Sequence, residues 1–150
     1  MADLPSIRMY HSVMILLPNG KVMMSGWAND GSSGTIDLYS PPYLFKGARP
    51  TISNAPATVT FGEQFTIGTP DAASIVKVTM VKPMAVTHQT ESNQRVIELA
   101  FLHDHLHPDN LITTAPDGGS PHAFAPKGYY MLFILNGAGV PSMAQWLRLQ

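Results

Sequence analysis

Gly128-Tyr-Tyr-Met-Leu-Phe-Ile-Leu-Asn136 is an almost unbroken apolar run, with Pro126 before it and Gly137-Ala-Gly139 after it. A run this short, rich in aromatic and branched side chains and bounded by turn formers, reads as a strand buried on both faces in the middle of a sheet. Working outward, strand candidates recur on both sides. Those before it are Thr51–Ser53, Ala57–Phe61, Gln64–Gly68, Ile75–Val81, Arg95–Leu102 and Leu111–Thr114, and Ser142–Leu149 follows. In Ile75–Val81 the alternation of Val76, Val78 and Met80 gives one apolar face, as a half-buried strand requires. Seven or eight short strands over about a hundred residues is the count of an immunoglobulin-like sandwich. The 13 Pro and 12 Gly punctuate the chain, and no segment has the pattern of a long amphipathic helix.

The first fifty residues are organised differently. Tyr10-His-Ser-Val-Met-Ile-Leu-Leu17 is a strand candidate, Pro18-Asn19-Gly20 a turn, and Lys21–Gly26 the returning strand. Asn-Gly is a strong short-hairpin signal because both positions tolerate positive φ. Thr35–Tyr39 adds a third strand after a Gly/Ser-rich stretch. Three antiparallel strands make an incomplete propeller blade. The absence of an internal repeat limits the chain to one such blade at most. Ser40–Pro50 reads as a linker, so the expected division is residues 1–50 for the partial blade and linker and 51–150 for the sandwich.

Composition narrows the function. A formal net charge of -1 gives no electrostatic footing for nucleic acid or an anionic membrane surface. No apolar run approaches the roughly 20 residues of a membrane-spanning helix, and residues 1–5 do not make an export signal. The chain contains no cysteine, which excludes disulfides, thiolate metal sites and cysteine nucleophiles within it. Its six histidines are therefore the main candidate ligands for a borderline metal.

Several motifs stand in order along the chain: Arg8-Met-Tyr-His-Ser12, Leu16-Leu-Pro-Asn-Gly-Lys-Val22, Tyr39-Ser-Pro-Pro-Tyr-Leu44 and Arg49-Pro50. They continue with Thr87-His88, Gln94-Arg95, Pro126–Phe133 and Asn136-Gly-Ala-Gly-Val-Pro-Ser142. In this order and spacing the chain resembles the carboxy-terminal region of the galactose oxidase/glyoxal oxidase family of copper radical oxidases. The resemblance implies an all-β fold, an immunoglobulin-like (E-set) β-sandwich preceded by a partial kelch-type propeller blade. It also implies copper as the cofactor, with Tyr10 as axial ligand and His11 and His88 as the two imidazole ligands. His88 would sit on a sandwich loop that reaches into the propeller axis. The family oxidises alcohols or aldehydes with a radical on a tyrosine cross-linked to cysteine. Those two residues lie in earlier blades, so the radical cofactor is not expected within this chain. An extracellular location is implied by the same resemblance.

Other constellations carry weaker chemistry. His103-Asp-His-Leu-His107 on an extended strand would place His103, His105 and His107 on one face at about 6.5–7 Å intervals. That spacing lets two of them share a zinc, nickel or copper ion. The alternative is a polar hairpin, since Pro108-Asp109-Asn110 is a turn signal. Ser74-Ile-Val-Lys77 spells a serine-hydrolase motif, but on a strand Ser74 and Lys77 would face opposite sides. Trp27, Trp146 and the tyrosines are either a platform for sugar rings or core. The nine methionines show no Met-x-x-Met cluster beyond Met23-Met24, which speaks against a methionine-rich Cu(I) relay.

Three functions follow. The first is a copper-radical-oxidase-like domain. The second is a non-catalytic module that self-associates as a homo-oligomer or docks on a propeller missing from the chain. The third is an independent metal-dependent hydrolase or oxidase built on the two histidines. Carbohydrates and small alcohols or aldehydes are the implied substrates.

Overall fold

Each strand of the sandwich is short and bounded by a turn, so the fold depends on how the strands are distributed between sheets. The computed structural model describes Arg8 and residues 11–26, 35–88, 90–118 and 124–150. Thirteen strands occur among them. β1 (Val13–Leu16), β2 (Val22–Ser25) and β3 (Asp37–Tyr39) form an antiparallel blade-like sheet. The sandwich follows with β4 (Thr58–Val59), β5 (Gln64–Gly68), β6 (Ile75–Lys82), β7 (Val86–Thr87) and β8 (Thr90–Glu91). It is completed by β9 (Arg95–Leu99), β10 (Phe101–His103), β11 (Asn110–Thr114), β12 (Gly128–Asn136) and β13 (Gln145–Leu149). One sheet has the order β4-β13-β12-β6-β9 and the other β10-β11-β5, while β7 and β8 pair only with each other. All pairings are antiparallel except β13 with β4.

The core lies between the two sandwich sheets. Val78, Met80, Tyr130, Leu132, Ile134, Leu147 and Leu149 from the larger sheet meet Ile67 and Leu111 from the smaller one. Burying each such side chain contributes about 1.5–3 kcal/mol. Strand β12 is apolar on both faces for a specific reason. Tyr130, Leu132 and Ile134 point into the sandwich, while Met131 and Phe133 join Val81 in a second cluster that Leu16 of the blade covers.

The blade is fixed to this outer face by its own turn. The backbone oxygens of Pro18, Asn19 and Gly20 accept hydrogen bonds from Ala144 N (2.8 Å), Arg49 Nη1 (2.7 Å) and Tyr43 Oη (2.5 Å) respectively. Arg49 also donates from Nε to Pro141 O (2.9 Å) and from Nη2 to Ser142 O (2.6 Å). Its guanidinium therefore bridges the blade turn and the β12–β13 connection.

Several sequence expectations shift. The first hairpin has a three-residue loop, Pro18-Asn19-Gly20, with Leu17 and Lys21 hydrogen bonded across it. Only Gly20 takes positive φ (78°) there, the left-handed position that such loops require. Thr51–Ser53 lies outside any strand, although Ser53 N donates to Gly68 O (2.9 Å) and Asn54 bridges to Gly68. Arg95–Leu102 is two strands in different sheets: β9 pairs with β6, and β10 with β11. The crossing falls at Ala100, whose carbonyl accepts from Thr113 Oγ1 (2.8 Å). The last strand begins at Gln145, not Ser142, because Pro141 and Ser142 are held by Arg49. The short β7–β8 hairpin has no counterpart among the expected strands.

Candidate metal site

His11 and His88 are brought together although they belong to different parts of the fold. His11 precedes β1 in the blade and stands in a turn where a strand was expected, with β1 beginning at Val13. His88 occupies the first position of the two-residue connection between Thr87 and Thr90, which pair across the β7–β8 hairpin. Because β7 packs beside β1, the imidazole centroids lie 4.5 Å apart with the rings inclined by 55°. Tyr10 lies outside the described residues.

Both histidines carry a left-handed backbone, φ 68° for His11 and 51° for His88. Among the described residues they are the only non-glycine positions with positive φ. That conformation costs an L-residue on the order of 1–2 kcal/mol, and strain of this kind concentrates at functional sites. The surroundings enforce it at both positions.

On the blade side, a Cβ at Gly26 would sit 2.4 Å from Ser12 Cα, so only glycine lets the end of β2 run this close to the His11 turn. Arg8 Nη1 donates to Gly26 O (3.1 Å), and Arg8 is ion-paired with Asp37 of β3. On the sandwich side, Glu91 Oε1 accepts from the backbone N–H groups of Ala85 (3.0 Å), Asn93 (2.7 Å) and Gln94 (2.7 Å). Asn93 Nδ2 donates to Pro83 O (2.7 Å). These bonds tie the base of the hairpin that presents His88. Partial desolvation pushes the Glu91 carboxyl up, but the three N–H groups together with Arg95 outweigh it and hold the group below its ordinary value.

The tilt of His88 is set locally. Thr87 Oγ1 lies 2.7 Å from His88 Nδ1, hydrogen bonded to it. A ring nitrogen engaged in this way fixes the tautomer and directs metal coordination to the other nitrogen. Two close imidazoles are a donor set suited to Cu(II) or Zn(II), so the residues present fit the imidazole part of a copper site.

The second histidine group is arranged otherwise. His103 ends β10 with its ring edge-on to Phe101 at 5.6 Å. The chain then turns back, with Asp104 N donating to Asn110 O (3.1 Å) and Asn110 N to His107 O (2.9 Å). Asp104 Oδ1 accepts from the N–H groups of Leu106 (2.9 Å) and His107 (3.2 Å), and Oδ2 lies 2.9 Å from His107 Nδ1. The Leu106 N–H foremost, and then the His107 side chain, hold the Asp104 carboxyl below its usual range. His103, His105 and His107 thus border a polar turn instead of lining one face of a strand. Among the described residues no group of three His, Cys, Asp or Glu side chains is disposed to hold one metal ion.

The remaining motifs resolve structurally. Ser74 Oγ donates to Asp71 O (2.9 Å), and Lys77 Nζ pairs with Glu98 (2.8 Å). Of the expected aromatic platform, Trp27 lies outside the described residues. Trp146 stands half-exposed on the outer sheet face opposite Met131, and Tyr130 is wholly buried with its hydroxyl on Pro126 O (2.6 Å). Sequence reasoning missed the β7–β8 hairpin and the joint role of Arg49. The Thr-His and Arg-Pro motifs pointed to these places without showing what they do.

Comparison with known proteins agrees with this architecture. Residues 49–149 match the galactose oxidase-like, Early set domain, and the chain belongs to that family. An aldehyde oxidase GLOX of Vitis pseudoreticulata is 35% identical over 160 residues, covering 95% of this chain and 30% of the relative. A galactose oxidase of Gibberella zeae is 31% identical over 160 residues, with 95% and 21% covered. A fungal alcohol oxidase of the AA5 family, solved in complex with copper, superposes with a TM-score of 0.80 at 28% identity. That superposition covers 93% of this chain and 30% of the other. The chain is thus a carboxy-terminal region of the galactose oxidase-like type, spanning less than a third of the length of these relatives.

Proposed function

We propose that this chain supplies the two imidazole ligands, His11 and His88, of a copper centre in an oxidase acting on alcohols or aldehydes, with Tyr10 as a third ligand. One observation carries the reading: the two rings stand 4.5 Å apart on two separately braced turns, each in a left-handed conformation. Such strain has no packing purpose at an exposed histidine, whereas a metal ligand set has a use for it. The blade contributes His11 and the sandwich His88, with the boundary between the two units near residue 50. Thr87 orients one ring, while Gly26 and Arg8 hold the turn of the other. Bound copper would supply a one-electron redox centre. With no cysteine in the chain, a thioether-linked tyrosine would come from outside these residues.

The test is Cu(II) titration of the chain by calorimetry and electron paramagnetic resonance, alongside His11→Ala and His88→Ala. One tetragonal, nitrogen-ligated copper per chain that is lost in either variant supports the reading. Binding that survives both substitutions, or that follows His103–His107, overturns it.

A second reading has its own support. Cross-strand pairing puts Leu38 on one blade face with Ile15 and Met23, and Leu38 is 58% exposed. An open apolar sheet face with free edges favours association, either with further blades or with a second copy. Sedimentation of the chain across concentrations distinguishes a monomer from a self-associating module.

A further inference from the structure

The fold gathers three methionines that the linear sequence keeps apart. Met14 and Met24 are direct cross-strand partners on β1 and β2, which sets their Cβ atoms roughly 4.5–5.5 Å apart. Strand alternation gives them the same blade face as Leu16, the face turned toward the sandwich. Met84, from the connection between β6 and β7, completes a pocket of about 360 Å³ that all three line together with Arg8 and Glu91. The pocket adjoins the histidine pair, because Met14 lies on the strand that follows His11 and Val86 of its wall on the strand that precedes His88.

Thioethers are soft, neutral donors that select monovalent copper over hard cations. The charges nearby do not oppose a cation. The Arg8 guanidinium in the lining is ion-paired with Asp37 behind it, and Glu91 brings a carboxylate to the same wall. Packing alone accounts for Met24, which is 7% exposed, but not for its partner Met14, which is 56% exposed at the same pocket.

We propose that Met14, Met24 and Met84 form a thioether site for Cu(I) beside the histidine pair. The site itself requires only this pocket. Its role in delivering copper to His11 and His88 rests on the function proposed above.

The experiment follows the methionine methyl resonances of the ε-¹³C-labelled chain during Ag(I) titration, with Cu(I) affinity measured anaerobically against a chromogenic chelator. The variants are M84L, the triple M14L/M24L/M84L, and M143L as an exposed methionine elsewhere. Shifts confined to three methyls are expected, with Cu(I) affinity at least tenfold weaker in the triple variant, about threefold weaker in M84L and unchanged in M143L. If the triple variant does not fold, M84L decides. Unchanged affinity in M84L, or methyl shifts that fall on Met143 as strongly as on Met14, Met24 and Met84, overturns the proposal. A wild-type chain that shifts the three methyls with Ag(I) yet takes no Cu(II) overturns the copper-oxidase reading and leaves the thioether site standing. The converse result does the reverse.

Discussion

Replacing Arg49 by Met keeps most of the side-chain volume and removes the donor fork that spans blade and sandwich. Three hydrogen bonds of 2.6–2.9 Å to Asn19, Pro141 and Ser142 carbonyls are lost. A bond from a charged donor is worth about 1.5–3 kcal/mol, but the guanidinium is only partly buried and already shares its charge with water. About half the sum survives that discount, which gives roughly 2–4 kcal/mol. For a chain of this size that lowers Tm by about 5–12 °C. The loss should be local as well as global. Hydrogen exchange should accelerate more at the β1–β2 amides than at the β6 and β12 amides, which lose only the global part, because the blade depends on Arg49 more than the sandwich core does. Arg49→Lys keeps the charge without the fork and should recover less than half of the stability. Urea unfolding and exchange mass spectrometry measure both effects. A loss below about 0.5 kcal/mol, or exchange that accelerates equally in blade and sandwich, would refute the view that this one side chain fastens the two together.

Other outcomes follow from the same geometry. Gly26→Ala places a methyl 2.4 Å from Ser12 Cα at φ 131°. It should destabilise the blade by about 2–3 kcal/mol and weaken Cu(II) binding at least tenfold through the His11 turn. Thr87→Val removes the hydroxyl from His88 Nδ1 at nearly constant shape. It should lower Cu(II) affinity by about tenfold and change the ¹⁵N tautomer signature of the ring without altering Tm. The Glu91 carboxyl is held below its ordinary value in the folded state. Its contribution is therefore complete above the unfolded Glu range and is lost as pH falls through the lower folded value. Acid titration followed by NMR should loosen β7–β8 before the sandwich core, and Glu91→Gln should abolish that early step.

The sandwich was legible because its signals are local. The runs Gln64–Gly68 and Gly128–Asn136 are strands with the bounds that their apolar patterns indicated. What escaped were features set by tertiary contact. Nothing in Arg95–Leu102 announces that the chain changes sheets at Ala100, since both halves carry strand-forming residues. The β7–β8 hairpin holds only two residues per strand, too few for a periodicity, and it is stabilised by Glu91 and Asn93 bonds invisible in sequence. His11 and His88 were singled out by motif, and the resemblance implied that they would meet, but their shared left-handed backbone emerges only in three dimensions. The methionines show the same limit, for nothing in their spacing along the chain announces that Met14 and Met24 are cross-strand partners.

The position of β12 has a consequence for biosynthesis. It is the central member of the five-stranded sheet, between β13 and β6, yet it is translated long after β4, β5, β6 and β9. Until residues 128–149 have left the ribosome, β6 and β9 have no central neighbour and the blade has no surface on which to dock. The nascent chain must therefore wait with exposed apolar strand faces, the state in which a β-sheet protein is most exposed to aggregation. The two imidazoles approach each other across the blade and the sandwich, so the His11–His88 pairing is a product of the completed sheet on which the blade docks.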